Sequence, residues 1–336
     1  MASSIISIAF LIDKLTGISL VLEMISVVAY LILILANVVR FAGFRAAFLA
    51  DVTNPARSFG YFTFVAGSGV LGSRMILGGQ IDVGVSLGAV AAVAWVVLAY
   101  GHGYSLLVHN DEPPTHLVNG TWLVLTVGAQ SVAVVAALLS SRVPAWNPWL
   151  WLSATCFWGV GVVFYFAVIL AVMGRLFFTP TRARDVTPPY WINMGALAIT
   201  TLAGARLVLA SGHAVPLASL DGFVLGLTVV LWAFGTWWIP LLVVVGWWRY
   251  RRGGVPVHYE PGLWSMVFPL GMYTVSTVVL STIPGLHVLA AIFPYGLGVA
   301  AAAWAATMAG YVVHSLAWWR RLRRETSPSR ALSGRE

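Results

Sequence analysis

The chain has 336 residues, of which 60% are hydrophobic and only 9% are charged, and its formal net charge is +8. Soluble domains contain about 25% charged residues, so this composition excludes a soluble globular protein and predicts one that lies in a lipid bilayer. The basic excess is then expected to mark the cytoplasmic loops, and it does not indicate a nucleic-acid partner.

Long apolar segments follow one another along almost the whole chain. A helix needs about 20 residues to cross the hydrocarbon core, and lipid tolerates no unpaired backbone groups. The predicted spans are 1–12, 18–40, 59–78, 83–107, 119–140, 149–174, 190–210, 221–248, 263–283 and 286–318. We therefore predict an all-α integral membrane protein with ten transmembrane helices in five hairpins. A transmembrane pore domain would cover 1–318, followed by a basic cytoplasmic tail at 319–336.

The first span is shorter than the others. Twelve helical residues rise only about 18 Å, which is too little to cross the bilayer. The spacing of the later odd-numbered spans places the expected start before Met1. We expect the sequence to lack the cytoplasmic end of this helix, and the alternative is a short, partly inserted helix. No removable signal peptide is predicted.

The distribution of basic residues predicts the orientation. Of the 19 Lys and Arg residues, all but Lys14, Arg74, Arg142 and Arg206 lie on the side where the even-numbered spans end. Cytoplasmic loops carry the excess of Lys and Arg. The sequence therefore predicts a multi-pass protein of the plasma (inner) membrane with both termini in the cytoplasm.

The odd-numbered spans are small and weakly polar, whereas the even-numbered spans are bulky. Residues at i, i+4, i+7 and i+11 form one face of a helix. Three such stripes are Thr63, Gly67, Val70 and Arg74; Asn119, Leu123, Thr126 and Gln130; and Asn193, Leu197, Thr200 and Gly204. Small residues are common where membrane helices pack closely, and a weakly polar face also suits a pore wall. Because the pattern recurs in alternate helices, it favours five inner helices around a central pore.

Charged residues indicate what would pass through such a pore. The stripes carry no carboxylate, and Arg74 and Arg206 lie at the outer ends of spans three and seven. Arginine at a pore mouth favours anions, so these two residues are predicted to attract them. The alternative is that Arg74 pairs with Asp82, and Arg206 with Asp221, and that they only close their hairpins. Glu23 is the one clear acid within a span.

The alternative function is an integral membrane enzyme or redox subunit that uses interfacial histidines. His102, His109 and His116 are spaced seven apart beside two acids, but Pro113 and Pro114 break the helix that would align them. The acids are Asp111 and Glu112, and the other histidines are His213, His258, His287 and His314. We predict no metal, no cofactor and no enzymatic activity. A non-transporting membrane subunit is a third possibility.

Four segments resemble a known family. Residues 54–67 read NPARSFGYFTFVAG and continue at 70–74 with VLGSR; residues 119–123 read NGTWL, with Gln130 and Ser131 following; residues 190–197 read YWINMGAL; and residues 264–271 read WSMVFPLG. In this order they resemble the third, fifth, seventh and ninth helices of the tellurite-resistance/dicarboxylate transporter family. That family includes plant slow anion channels, yeast malate permease and fungal sulfite exporters.

The resemblance implies five hairpins around a central anion pathway, often in a homotrimer, that a phenylalanine of the ninth helix plugs. Phe268 is the matching position, and Pro269 is expected to kink the helix beside it. The alternative is a phenylalanine that only packs in the core. Met272 is assigned to the pore wall. We therefore predict a channel or permease for small anions such as dicarboxylates, sulfite, nitrate or chloride, with membrane lipid and further copies of the chain as partners.

Overall fold

The computed structural model describes residues 1–54, 57–108, 118–211 and 220–325, and these residues form α-helices and short turns with no strand among them. The helices are α1 (Ala2–Ile12), α2 (Thr16–Gly43), α3 (Arg45–Thr53), α4 (Phe62–Leu77), α5 (Ile81–Val108), α6 (Val124–Ser140), α7 (Asn147–Phe178), α8 (Ile192–Ser211), α9 (Asp221–Trp247), α10 (Trp264–Ser281) and α11 (Phe293–Glu325). The predicted all-α membrane fold is confirmed.

Eight helical segments in the described ranges are long and apolar enough to cross a membrane. The helices α1 and α4, which correspond to predicted spans one and three, have 11 and 16 residues. Both are shorter than the roughly 20 residues that a full crossing needs. The count of ten spans therefore stays a prediction. The short α3 forms where the sequence indicated only a loop, and none of its residues is buried.

The helices pack as five hairpins, namely α1 with α2, α4 with α5, α6 with α7, α8 with α9 and α10 with α11. The first member of each hairpin also packs on the next, and the ring α1, α4, α6, α8, α10 closes on α1. The most apolar stretch of Gly120–Ser140 is 100% buried, whereas that of Thr16–Gly43 is 22% buried. The inner and outer helices that the composition predicted are therefore distinct in the fold.

A short 3-10 turn precedes four of the five inner helices. These turns are Ser58–Tyr61, Gly120–Leu123, Pro188–Trp191 and Pro261–Leu263. Proline starts two of them, and the Asn119 side chain caps another by accepting from the backbone N–H of Thr121 at 2.9 Å. Successive turns touch, and a Cβ at Gly120 would overlap the backbone of Pro189. The turns thus bring the starts of neighbouring inner helices to one level.

Arginines near the ends of two outer helices tie their own hairpins together. Arg175 of α7 donates to the carbonyl of Val118, which leads into α6. Arg249, in the π-helical turn after α9, donates through Nη1 to the carbonyl of Val186 at 2.8 Å, and that segment leads into α8. Both arginines bind backbone oxygen, so both hairpins are closed in the same way at this end.

The last helix continues past the predicted end of the pore domain. Span ten was expected to finish at residue 318, but α11 runs without a break to Glu325 and includes Arg320 and Arg321. The remainder of the predicted tail, 326–336, lies outside the described residues.

Candidate functional site

A narrow cavity lies inside the ring of inner helices. Every inner helix contributes to its wall, and among the described residues no outer helix does. The lining residues are Ile5, Ile8, Val70, Ser73, Ser131, Val134, Ile199, Leu202 and Met272. The cavity is therefore lined by the five elements that the sequence assigned to a pore wall.

Four helices present their lining residues with the same spacing. The pairs are Ile5 and Ile8, Val70 and Ser73, Ser131 and Val134, and Ile199 and Leu202. Residues three apart lie on one face of a helix. In α4, α6 and α8 the pairs fall near the middle of the helix, so the cavity is a layer to which the hairpins contribute in similar ways.

The cavity wall is apolar apart from two hydroxyls. Ser73 Oγ donates to the carbonyl of Gly69 at 2.9 Å. Ser131 Oγ donates to the carbonyl of Gly128 at 2.7 Å and also lies 3.4 Å from that of Val65 in α4, so both hydroxyls bind backbone oxygens. None of the lining residues has a side chain that carries a charge. Such a wall offers no fixed charge that would trap an ion and no acid or base for catalysis.

Phe268 lies one turn from this cavity on the same helix face. It precedes the cavity-lining Met272 by four residues and is only 1% exposed. Four residues correspond to about 6 Å along the helix, towards the start of α10. The ring of Pro269 packs directly against Gly195 of α8, where a larger residue would not fit. Proline also has no N–H to donate, which leaves the carbonyl of Ser265 without its usual helical partner.

Three predicted pore residues follow one another along α4, from the start of the helix to the cavity. Thr63 is exposed, and its hydroxyl donates to the carbonyl of Gly60 at 2.6 Å. Gly67, one turn further, is buried, yet a Cβ placed there would meet no atom within 4 Å. Val70 lines the cavity. Unfilled space thus lies beside buried Gly67, between the exposed Thr63 and the cavity-lining Val70.

Other predicted pore residues contact outer helices. Gln130 Nε2 donates to the carbonyl of Trp158 in α7 at 3.0 Å. Leu197 packs against the position of Gly235 in α9, and a Cβ at Gly204 would overlap Thr228 of the same helix. For Gln130, Leu197 and Gly204, the structure favours the close-packing interpretation that the stripes had left open.

The remaining stripe residues are mostly buried between helices. The carbonyl of Thr200 accepts from Trp158 Nε1 at 3.1 Å, and that of Asn193 accepts from the Tyr165 hydroxyl at 3.3 Å. Leu123 is fully buried, and Asn119 caps the turn before α6. The hydroxyl of Thr126 is buried without a hydrogen-bond partner among the described residues.

Arg74 is buried and neutralised. Its Nη2 lies 2.8 Å from Oε2 of Glu23 in α2, its Nε donates to Ser7 Oγ at 2.8 Å, and its Nη2 donates to Ser19 Oγ at 3.1 Å. The hairpin interpretation had expected Asp82 as the partner, so this pairing is a correction. The ion pair also argues against a free positive charge on Arg74 at the outer mouth, since Glu23 neutralises it.

Arg206, unlike Arg74, has no carboxylate partner among the described residues. Its Nε is buried without a hydrogen-bond partner in the described ranges. Asp221, the partner expected from the sequence, accepts from the Ser211 hydroxyl at 2.6 Å instead. Arg142, just after α6, is close enough for its positive charge to act on Arg206. The sequence had not associated these two arginines, although both are among the four basic residues assigned to this end of the helices.

The described histidines are dispersed. His102 packs between Phe59 and Phe62, and its Nδ1 lies 2.7 Å from the carbonyl of Leu98. His258 and His287 contact backbone carbonyls of separate segments. In the part of the chain that the structure describes, no three His, Cys, Asp or Glu side chains lie together as a metal site would require. His109, Asp111, Glu112, His116 and His213 lie outside the described residues.

Most residues of the cavity wall were not predicted from the sequence. Ser73, Ser131, Val134, Ile199 and Leu202 were not assigned to it, although several lie one position away from a predicted stripe residue. The available signal was the internal repeat itself. If the inner helices are aligned on their 3-10 turns, the paired lining positions fall at similar depths in α4, α6 and α8.

Comparison with known proteins identifies relatives along most of the chain. A family model described as voltage-dependent anion channel matches residues 1–312. An uncharacterized membrane protein of Mycobacterium tuberculosis is 43% identical over 150 residues, which is 45% of this chain and 76% of that protein. Two uncharacterized transporters of Methanocaldococcus jannaschii are 24% identical over 260 residues (75% of this chain, 71% of theirs) and 23% identical over 282 residues (82% and 79%).

Proposed function

The chain belongs to the voltage-dependent anion channel family, and on this premise we propose that it passes small anions across the membrane along the axis of the inner-helix ring. The observation that carries this proposal is the cavity, because all five inner helices line it and none contributes a charged side chain. The substrate candidates are sulfite, nitrate, chloride and dicarboxylates such as malate.

An uncharged wall suits passive conduction. An ion crosses a pore rapidly only where binding is weak enough for it to leave again. Hydroxyl oxygens, backbone and small side chains meet this condition, whereas a proton-coupled carrier would need a titratable group on the path. Among the described residues of the cavity wall only Ser73 and Ser131 are polar, and neither titrates in the physiological range. The proposed mode is therefore a channel or an uncoupled permease.

Phe268 is the proposed gate of this pathway. Its ring lies one turn from Met272 on the face that lines the cavity, and it is buried among the inner helices. A hydrophobic constriction stops ions because it excludes the water that accompanies them. Pro269 removes one helical hydrogen bond beside the ring, so the local backbone is less constrained than elsewhere in α10. Movement of the Phe268 ring out of the path would open it.

The protein is a multi-pass membrane protein, and the distribution of its arginines supports a plasma-membrane location with both termini in the cytoplasm. The outer helices leave large apolar surfaces exposed, and only 11% of the most apolar stretch of His287–Arg321 is buried within the chain. Lipid and further copies of the chain, in a homotrimer, are the proposed occupants of these surfaces.

Purified protein in liposomes tests the proposal. Vesicles loaded with potassium salts of chloride, nitrate, sulfite or malate receive valinomycin, so that potassium efflux can proceed only as fast as an anion follows. We expect vesicles with protein to release at least one of these anions faster than empty vesicles. If all four anions leak at the rate of empty vesicles although the protein is folded and inserted, the proposal is wrong.

A further inference from the structure

Arg206 stands at the end of the cavity that lies away from Phe268. It follows the cavity-lining Leu202 by four residues and Ile199 by seven, so it lies on the same face of α8. Side chains on a helix lean towards its start, which brings the Arg206 side chain back over the turn that bears Leu202. Arg206 therefore belongs to the cavity-lining face of α8, one turn beyond Leu202.

No carboxylate of the described residues pairs with Arg206. Its Nε is buried without a hydrogen-bond partner there, and Asp221 is bonded to Ser211. The connection from residue 212 to 219 contains no acidic residue. By contrast, Arg74 is paired with Glu23, and Arg249 with Glu260. Arg206 is partly buried, and a partly desolvated guanidinium without a counter-charge is costly, so an anionic partner would stabilise it.

A second arginine adds to this unbalanced charge. Arg142 lies in the turn just after α6, the helix that contributes Ser131 and Val134 to the cavity wall. It lies near enough to Arg206 for the two positive charges to repel each other. Arg142 is exposed and Arg206 is partly buried, so solvent screens only part of this repulsion. An anion between the two guanidinium groups would convert this repulsion into attraction.

We propose that Arg206 and Arg142 together bind one small oxyanion at the end of the cavity opposite Phe268. The proposal rests on the proposed function, because an anion that crosses the membrane would bind here as it enters or leaves the pathway. A guanidinium offers two parallel N–H donors that match two oxygens of a carboxylate or nitrate. A halide has no second atom to accept the other bond, so the site should prefer oxyanions.

Ligand-dependent thermal unfolding of the purified protein tests this site without a transport assay. Sodium nitrate is titrated at constant ionic strength, with sodium chloride as the comparison. We expect nitrate to raise the unfolding temperature saturably and at lower concentration than chloride. Arg206→Gln should raise the half-maximal nitrate concentration about tenfold or more, because a charge-assisted contact is lost. Arg142→Gln should weaken nitrate binding too, and Arg206→Lys should fall between wild type and Arg206→Gln.

Arg251→Gln is the matched control, since Arg251 is exposed in the turn after α9, at the other end of the helices. It should leave the nitrate titration unchanged. The proposal is overturned if both Arg206→Gln and Arg142→Gln retain the wild-type half-maximal concentration, or if chloride and nitrate stabilise the wild type equally. Because Arg142 is exposed, its variant serves where Arg206→Gln fails to fold.

Flux in liposomes separates this inference from the proposed function. Anion flux in the wild type, together with an unchanged nitrate titration in the variants, would remove the site and leave transport intact. If nitrate stabilises the protein through these arginines but no anion flux occurs, the proposed transport function is wrong. The two arginines would then form a site that only binds anions.

Discussion

Arg74 of α4 and Glu23 of α2 form an ion pair in which Nη2 lies 2.8 Å from Oε2 and both side chains are less than 10% exposed. Ser7 of α1 and Ser19 of α2 complete the contact, since both hydroxyls accept from the guanidinium. Each of these serines also donates to the carbonyl of the other, at 2.7 and 2.8 Å. The network therefore connects both helices of the first hairpin, α1 and α2, to α4.

Glu23→Gln should destabilise the protein strongly. The substitution leaves Arg74 charged, buried and without its counter-ion, and breaking a buried pair in this way costs about 3–5 kcal/mol. Thermal unfolding in detergent measures the effect. Glu260→Gln is the control, because its partner Arg249 keeps three backbone carbonyls and the acid is 29% exposed, so its cost should be smaller. Equal losses in both variants would contradict the assigned role of Glu23.

Phe268→Ala should increase anion flux severalfold, because it removes the ring that we propose blocks the path. Phe62→Ala is the matched control, since Phe62 is equally buried but packs against Phe59 and His102. Both variants lose about 3–5 kcal/mol of stability if their sites do not collapse. Flux is measured in liposomes with equal amounts of inserted protein. An increase in both variants, or in neither, would remove the gate assignment.

Two glycines should respond differently to alanine. At Gly67 a methyl group enters open space beside the path, so Gly67→Ala should fold as well as the wild type and conduct less. At Gly204 the methyl group would overlap Thr228, and overpacking of this kind costs about 1–3 kcal/mol. Unfolding temperature and anion flux are measured for both. A large drop in unfolding temperature for Gly67→Ala alone would show that Gly67 serves packing and not the path.

Acidification should loosen α3. Hydrogen bonds from Arg57 and Arg40 hold the pKa of Asp51 below its usual value, which is about 3.9. A carboxyl with a lowered pKa in the folded state stabilises the fold above its unfolded pKa, and this contribution is lost as the pH falls through the folded pKa. Protection of Arg45–Thr53 should therefore persist from neutral pH to about pH 4 and decline below it.

Hydrogen exchange, corrected for the intrinsic rate at each pH, measures this protection. Asp51→Asn should show faster exchange in α3 at neutral pH and lose most of the pH dependence, whereas the fully buried α6 serves as an internal reference. A pH dependence that is the same in Asp51→Asn and the wild type would assign it to another group.

Much of the architecture could be predicted because its signals are local. Apolar runs and their Gly, Pro and Arg joints indicate the hairpins, and the contrast between small and bulky spans indicates which helix is inside. The four segments that resembled the family were a sound guide, since the family model covers residues 1–312. These features depend on single helices or on their order, which a sequence records directly.

The face that each inner helix turns to the cavity could not be predicted in the same way. Small and polar residues suit both a pore wall and a close helix contact. Gly204 accommodates Thr228, and Gln130 binds the backbone of Trp158, so their small or polar character reflects outer helices. Hydropathy does not record which neighbour a residue meets. The same limit hid the pairing of Arg74 with Glu23, because Asp82 was the nearer acid in the sequence.

The contacts of Arg175 and Arg249 with the carbonyls of Val118 and Val186 have a consequence for how this fold can diverge. Every amino acid supplies the same carbonyl oxygen, so the residue that receives the arginine is free to change. Substitutions can therefore accumulate in the connecting segments while the hairpins stay closed. Among relatives, we therefore expect the two arginines to be retained while the residues at the positions of Val118 and Val186 vary.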